Sequence, residues 1–272
     1  MSIKNEYCDS KIKYVYTYSN KLEKNVFGLH THTDYEIYIF ISGKGKYTVE
    51  GTEYNLRPGT TLIFRSGEAH VPQIDSNAPY ERIAINFTSE FLNEIDPDSK
   101  LLTPFLERPL GRMNCYNNLS SIKRVIELSQ TEFESEYLKR LFLYNAVNNI
   151  LLEIYLNFGE HKENIGAQGE SEFISQMLEY VNVNLFDVIS LDVIAKNFFI
   201  SKSQLNRYFK KYTGSTAWGY ITAKRLLNAR KLILDGVAAK TACLSSGFED
   251  YSSFFRAYKK RFGVSPSDDK KH

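Results

Sequence analysis

His30, Thr31 and His32 are followed by Glu36, and His70 stands further along the chain. Imidazole nitrogens and a carboxylate suit zinc, iron, manganese or nickel equally well as ligand types. The same groups could instead hold the polar parts of an organic effector. Positions 30, 32 and 36 share parity, so an extended strand would turn all three to one face, with His70 reaching them from a neighbouring strand. A second chemistry lies near the C-terminus, in Lys202, Ser203, Gln204, Asn206, Arg207 and Lys210, and again in Ser252, Ser253, Arg256 and Lys259. Arg can bond a guanine edge through two hydrogen bonds, Asn an adenine edge, and Lys can neutralise phosphate. No residue is assigned a catalytic role.

Such side chains read DNA only if a helix presents them together. Ser201 followed by Gln204 is a capping-box pattern that starts a helix. Leu205, Tyr208 and Phe209 then face a core and leave Lys202, Ser203, Asn206, Arg207 and Lys210 outside. Taken alone, this helix could as well be a solvated amphipathic one. The layout recurs: a short helix, a turn and a polar helix occupy both 191–211 and the stretch ending 247–260. Between them Thr216 to Leu234 reads as an apolar-striped helix closed by Gly236 at its C′ position. At 1.5 Å per residue it would span roughly 28 Å, near the roughly 34 Å between successive major-groove faces.

The sensing residues need a different frame. From Lys13 to Phe87 the pattern is β-like, with Tyr35–Ile41 and Arg82–Phe87 as strands and Gly-containing turns between. From Ser120 to Phe158 the period becomes helical, giving two helices that either cap the β domain or pair with a second subunit. Residues 161–170 are polar and aperiodic, and read as a linker. The expected division is a sensing domain over 1–105, a helical capping or dimerisation segment over 106–160, the linker, and a DNA-binding domain over 171–272. The fold class expected is α+β in two domains. Tyr14, Tyr16, Tyr18, Tyr35, Tyr38, Tyr47 and Tyr54 give the first half many phenols. They suit a saccharide, although strand propensity also enriches Tyr.

Charge divides along the same line. Residues 171–272 hold 16 Lys and Arg against 9 Asp and Glu, whereas residues 1–170 hold 18 against 23. A basic C-terminal part beside an acidic N-terminal part places any polyanion on the former. Cys8, Cys115 and Cys243 have neither metal spacing nor a disulfide framework. With no membrane-length apolar run and no signal-peptide core, the expected location is the cytoplasm and no membrane partner is expected.

The stretch from Phe173 to Pro266 resembles the DNA-binding domain of AraC/XylS-type transcriptional regulators. The residues carrying the likeness are Leu191–Ala195, Ser201–Lys211, Gly214, Gly247-Phe248, Phe254, Lys259 and Phe262–Pro266. The resemblance implies base contacts by Ser203, Asn206 and Arg207 in the first unit and by Ser252, Ser253 and Arg256 in the second. It departs at Ala239, Ala242, Cys243 and Ser246, where the family usually has Ile, Ile, Ala and Val, and at Asp268-Asp269. Smaller side chains would loosen the second unit, leaving the first to carry most of the sequence reading. The spacing of His30, His32, Glu36 and Gly43, then Gly59, Gly67 and His70, is similar to the two motifs of the cupin superfamily, with Arg65 and Ile74 as departures.

The resemblance implies a cupin-like β-barrel sensor with helices and an all-α tandem helix-turn-helix domain. Its function would be effector-controlled transcription, with activation the expected sign. Its partners would be promoter DNA, a small-molecule effector, RNA polymerase and a second copy of the chain, and the tyrosines rather than the resemblance point to a saccharide as one candidate effector. No cofactor is required, and a divalent metal on His30, His32, Glu36 and His70 is the alternative occupant. The rival readings are a metal-dependent cupin enzyme and an effector-independent regulator controlled by a protein partner.

Overall fold

Tyr35–Ser42 is apolar at nearly every position, and the reason lies in what covers it. In the computed structural model, which describes residues 2–22, 27, 29–158, 170–187 and 190–269, this strand is central to a sheet packed on both faces. The strands are β1 (Ser2–Cys8), β2 (Ile12–Ser19), β3 (Tyr35–Ser42), β4 (Gly45–Val49), β5 (Thr52–Asn55), β6 (Thr61–Phe64), β7 (His70–Ile74), β8 (Tyr80–Phe87) and β9 (Cys115–Tyr116). They form a six-stranded sheet ordered β1-β2-β8-β3-β6-β9 and a three-stranded sheet ordered β5-β4-β7. Alternation does the rest: Ile37 and Ile39 of β3 join one core while Tyr38 and Phe40 join another.

The first core is the outer face of the large sheet under two helices. Short helices α1 (Ser89–Asn93) and α2 (Thr103–Leu106) precede α3 (Ile122–Gln130) and α4 (Glu136–Phe158). Val125 and Leu128 of α3 and Leu143, Val147, Ile150 and Ile154 of α4 pack with Ile37, Ile39, Ile63, Ile83 and Ile85. Of the two roles open to these helices, capping the sheet accounts for their buried faces. The second core lies between the sheets and is aromatic: Tyr38, Phe40, Tyr47, Phe64 and Tyr80 are all buried there.

The chain divides into two compact units: Met1–Phe27, Asp34–Glu68 and Pro72–Gly166 in one, and Gly28–Thr33, Ala69–Val71 and Ala167–His272 in the other. The expected linker, apart from Glu170, lies outside the described residues. Six helices make up most of the second unit: α5 (Glu170–Val183), α6 (Leu191–Asn197), α7 (Lys202–Thr213), α8 (Ala217–Leu234), α9 (Ala239–Ser245) and α10 (Tyr251–Phe262). Its two cores share α8. Ala217, Tyr220 and Ile221 pack with α5, α6 and α7, whereas Leu226, Ala229 and Ile233 pack with α9 and α10. The expected connector is therefore a helix of 18 residues, about 27 Å long at 1.5 Å per residue. Thr216 caps its start through the Gly219 N–H. After its end Gly236 takes φ +94°.

Candidate nucleic-acid interface and sensor residues

The first helix-turn-helix is α6 and α7. Ser190 caps α6 by accepting from the Val193 N–H, and Ser201 caps α7 in the expected capping box with Gln204. Leu205 and Phe209 are buried and set the rotation of α7, so Lys202, Ser203, Gln204, Arg207 and Lys210 are exposed. Two proposed readers already have work to do. Gln204 Oε1 accepts from the Ser201 N–H at 2.9 Å. Half-buried Asn206 accepts from the Ala217 N–H through Oδ1 at 3.1 Å, which ties α7 to the start of α8. Lys202 pairs with Asp192 at 3.0 Å. The Arg207 side chain makes no hydrogen bond or ion pair among the described residues. Its guanidinium is available to a ligand.

The second unit is α9 and α10. Asp250 caps α10 by accepting from the Ser252 and Ser253 N–H groups at 3.2 and 2.7 Å. The Ser253 hydrogen bonds hold its carboxyl below the usual range. Ser252, Ser253, Arg256 and Lys259 are exposed, and Arg256 donates to Ser253 Oγ at 3.2 Å. Ala242, Cys243 and Ser246 are indeed buried, as small residues in a core would be. Polar anchors stand beside them. Asn228 donates to Ser246 Oγ at 3.0 Å. Asp269, read from sequence only as a departure, is buried and accepts from the Tyr258 hydroxyl at 2.6 Å and from Arg230 Nε at 2.8 Å.

Arg225 ties the turn after α5 to the turn of the second unit and was not singled out from the sequence. From α8 it donates to three backbone carbonyls, Leu185, Gly247 and Asp187, each at 2.7 Å. Burial pulls its pKa below the usual range, with Glu249 and Asp187 opposing. A Cβ on Gly247 would come within 2.9 Å of the Phe186 carbonyl and 3.0 Å of Arg225, and Gly247 takes φ +79°. One long basic residue in an apolar-striped helix gives no sequence signal of such a role. A Gly opening the second turn is the nearest hint.

The sensor residues differ from expectation in geometry. His30, His32 and Glu36 do not share one strand, because β3 begins at Tyr35 and His30 sits in an isolated bridge with His70. That bridge exchanges two backbone hydrogen bonds, of 2.9 and 3.0 Å. The His30 and His70 rings stack at 6.0 Å, and His32 meets His70 edge-on at 5.1 Å. His70 and Glu36 are buried, His32 is half-buried and His30 is exposed. The ligand atoms of His32, Glu36 and His70 lie within 4.8 Å of one another, a set that leaves out His30. Between the two histidines of the bridge segment, Thr31 accepts from Arg261 of α10 through its carbonyl at 3.2 Å and its hydroxyl at 2.6 Å.

A buried network in the β domain also escaped the sequence reading. Arg108 NH1 donates to Glu68 Oε1 at 2.7 Å and to Asn114 Oδ1 at 3.0 Å, and the Gly111 N–H donates to Glu68 at 2.9 Å. Burial would raise the Glu68 carboxyl, yet Arg108, Arg65 and the Gly111 N–H hold it below the usual carboxylate range. These residues brace the stretch between α2 and β9 and expose nothing to a ligand.

Comparison with known proteins agrees with both halves. Residues 13–146 match the AraC-like ligand binding domain, and residues 194–272 match a helix-turn-helix domain. The HTH-type transcriptional activator RhaS of Escherichia coli is 24% identical over 258 residues, covering 91% of this chain and 89% of that protein. The Msm operon regulatory protein of Streptococcus mutans is 25% identical over 250 residues, covering 89% and 85%. Among solved structures, ToxT from Vibrio cholerae is similar at a TM-score of 0.44 and 13% identity, covering 95% of this chain and 97% of that one. Among the described residues no helix is long and apolar enough to cross a membrane. The chain therefore joins an AraC-like ligand-binding domain to a helix-turn-helix domain with two capped units, the composition of a DNA-binding transcriptional regulator that responds to a small-molecule effector.

Proposed function

We propose that this regulator activates transcription in the cytoplasm by placing α7 and α10 in successive major-groove faces of promoter DNA. The observation that carries the reading is the exposed pair Arg207 and Arg256, one on each capped helix, joined by α8 of about the right length. Ser203, Ser252 and Ser253 are offered as further base contacts, and Lys202, Lys210 and Lys259 as phosphate contacts. Gln204 and Asn206 keep their amide nitrogens for DNA while their oxygens hold the protein's own backbone. RNA polymerase is the partner that activation requires. The name of the E. coli relative supports that sign of control.

The effector is proposed to be of saccharide type, held by His30, His32, Glu36 and His70. A divalent metal on His32, Glu36 and His70 is the alternative occupant. The hydrogen bonds from Arg261 to Thr31 would let the histidine segment bias the last turn of α10, so ligand binding would shift the population of DNA-competent states. A second copy is proposed to dock on α4. Leu138, Leu141, Leu152 and Leu156 are exposed along one side of it, with Asn145 and Asn149 between them. The functional boundaries are proposed at 1–105, 106–160, 161–170 and 171–272.

Selection of sites from random duplex DNA tests the central reading. Full-length protein should enrich two half-elements about one helical turn apart, with affinity falling steeply as salt rises. Failure to enrich any motif would overturn it.

A further inference from the structure

The core between the two sheets is lined by aromatic rings, and it also carries a cation. Alternation along β8 puts Tyr80, Arg82, Ala84 and Asn86 on one face, opposite to Ile83, Ile85 and Phe87 of the helix-covered core. Tyr80 belongs to the inter-sheet core, so Arg82 faces the same interior. Its guanidinium lies 5.9 Å from the centre of the Tyr38 ring, and the Tyr38 and Tyr80 hydroxyls are 2.9 Å apart. Tyr47 packs edge-on against Tyr38 at 4.8 Å. Among the described residues the Arg82 side chain makes no hydrogen bond and no ion pair. Such a group is normally given an acceptor when taken from water.

Thr17 stands at the same end of the face as Arg82, and Glu36 at the other. Thr17 of β2 is the cross-strand partner of Arg82, and directly paired side chains stand on the same side. Thr17 is 1% exposed, and its hydroxyl has no hydrogen-bond partner. Glu36, the one carboxylate on this face of β3, pairs in register with Asn86 and is reached by the Asn86 amide at 3.4 Å. Four residues separate Asn86 from Arg82, roughly 13 Å along a strand. Burial weakens the Arg82 charge, but the surrounding Tyr80, Glu36, Tyr38 and Tyr47 more than restore it. The face therefore has a cationic, hydroxyl-rich end and an acidic end.

We infer that Arg82 and the Thr17 hydroxyl hold an oxyanion, so that the effector is an acidic small molecule bearing a carboxylate or a phosphate. The Tyr38, Tyr47 and Tyr80 rings flank its carbon skeleton, and Glu36 and Asn86 meet hydroxyls at the far end. The inference rests on the effector-binding reading and narrows it from saccharides in general to sugar acids or sugar phosphates.

Two measurements on the full-length protein test it. In the first, thermal unfolding is followed with glucose, glucuronate, galacturonate and glucose 6-phosphate at millimolar concentration. An acidic probe should raise Tm by about 5 °C where it saturates the site. Glucose should not, and Arg82→Met should lose the response. Glucuronate or galacturonate acting alone would identify a carboxylate, and glucose 6-phosphate acting alone a phosphate. In the second, Arg82→Met is melted without ligand. Removing an unpaired half-buried cation should leave Tm unchanged or raise it, whereas a fall of several degrees would make Arg82 a structural partner of Tyr38 and overturn the inference. A shift by glucose equal to that by its acids would overturn it while leaving the saccharide reading intact. If no acidic probe shifts the wild type, the inference fails, and DNA-site selection decides separately whether the regulator reading stands.

Discussion

The two helix-turn-helix units place a left-handed residue at the same point of their turns, and they fill it differently. In the first unit it is Phe199, with φ 54° and 97% exposed, and in the second it is Gly247, with φ 79°. A β-carbon costs roughly 1–2 kcal/mol in that conformation, so the first turn carries strain that the second does not. The cores run the other way. The first unit is filled by Leu205, Phe209, Tyr212 and Tyr220, whereas the second relies on Ala242, Cys243 and Ser246 with the Asp269, Arg230 and Tyr258 hydrogen bonds beside them. Small side chains need not mean a loose unit where a buried carboxylate takes up the slack. The expectation that the second unit is the weaker one loses its main physical ground.

Five changes break or sharpen this comparison. The largest effect lies outside both units and assigns the unfolding transitions. Arg108→Met strands the buried Glu68 carboxylate and should cost about 3–5 kcal/mol, lowering only the transition of the β domain in calorimetry. The same network sets an acid limit. Because the folded Glu68 carboxyl is held below its ordinary range, its contribution is complete above the unfolded pKa of roughly 4.3. It is lost as pH falls through the lower folded value, so Tm of that transition should drop on acidification below about pH 4.

Within the second unit, Asp269→Ala leaves Tyr258 and Arg230 without their acceptor and should cost about 3 kcal/mol. A loss under about 0.5 kcal/mol, the scale of ordinary surface changes, would restore the loosely packed picture. Gly247→Ala meets both an unfavourable φ and the Phe186 carbonyl, and should cost about 2 kcal/mol or more. The mirror change, Phe199→Gly, should stabilise the protein by about 1 kcal/mol, seen as a rise in denaturant midpoint. The smallest effect is expected from Lys259→Ala, which should weaken binding to all sequences alike and reduce the salt slope by about one.

The caps and the reading helices were legible because local chemistry decides them. Ser201 with Gln204, Thr216 and Gly236 each act on backbone groups a few residues away. Leu205 and Phe209 then fix which side chains of α7 point outward. The Arg225 rivet was not legible, since its three acceptors are carbonyls up to 40 residues distant and carbonyls carry no sequence identity. Asp269 was visible as a residue but not as a partner, because Tyr258 and Arg230 reach it only after α8 and α10 have packed. The histidine set was legible in composition and misread in geometry. Parity arguments assume a continuous strand, and the chain leaves extended pairing between the His30 bridge and Tyr35. Arg82 looked like one more polar position in an alternating strand, and only the cross-strand register with Thr17 singles it out.

The most direct test of two separate readers is a base-substitution series over the selected operator, bound by wild type, Arg207→Ala and Arg256→Ala. Two readers predict that Arg207→Ala relaxes discrimination by about 1–3 kcal/mol in one half-element only, and that Arg256→Ala does the same in the other. Loss at the same positions in both variants, or in neither, would contradict a tandem of reading helices.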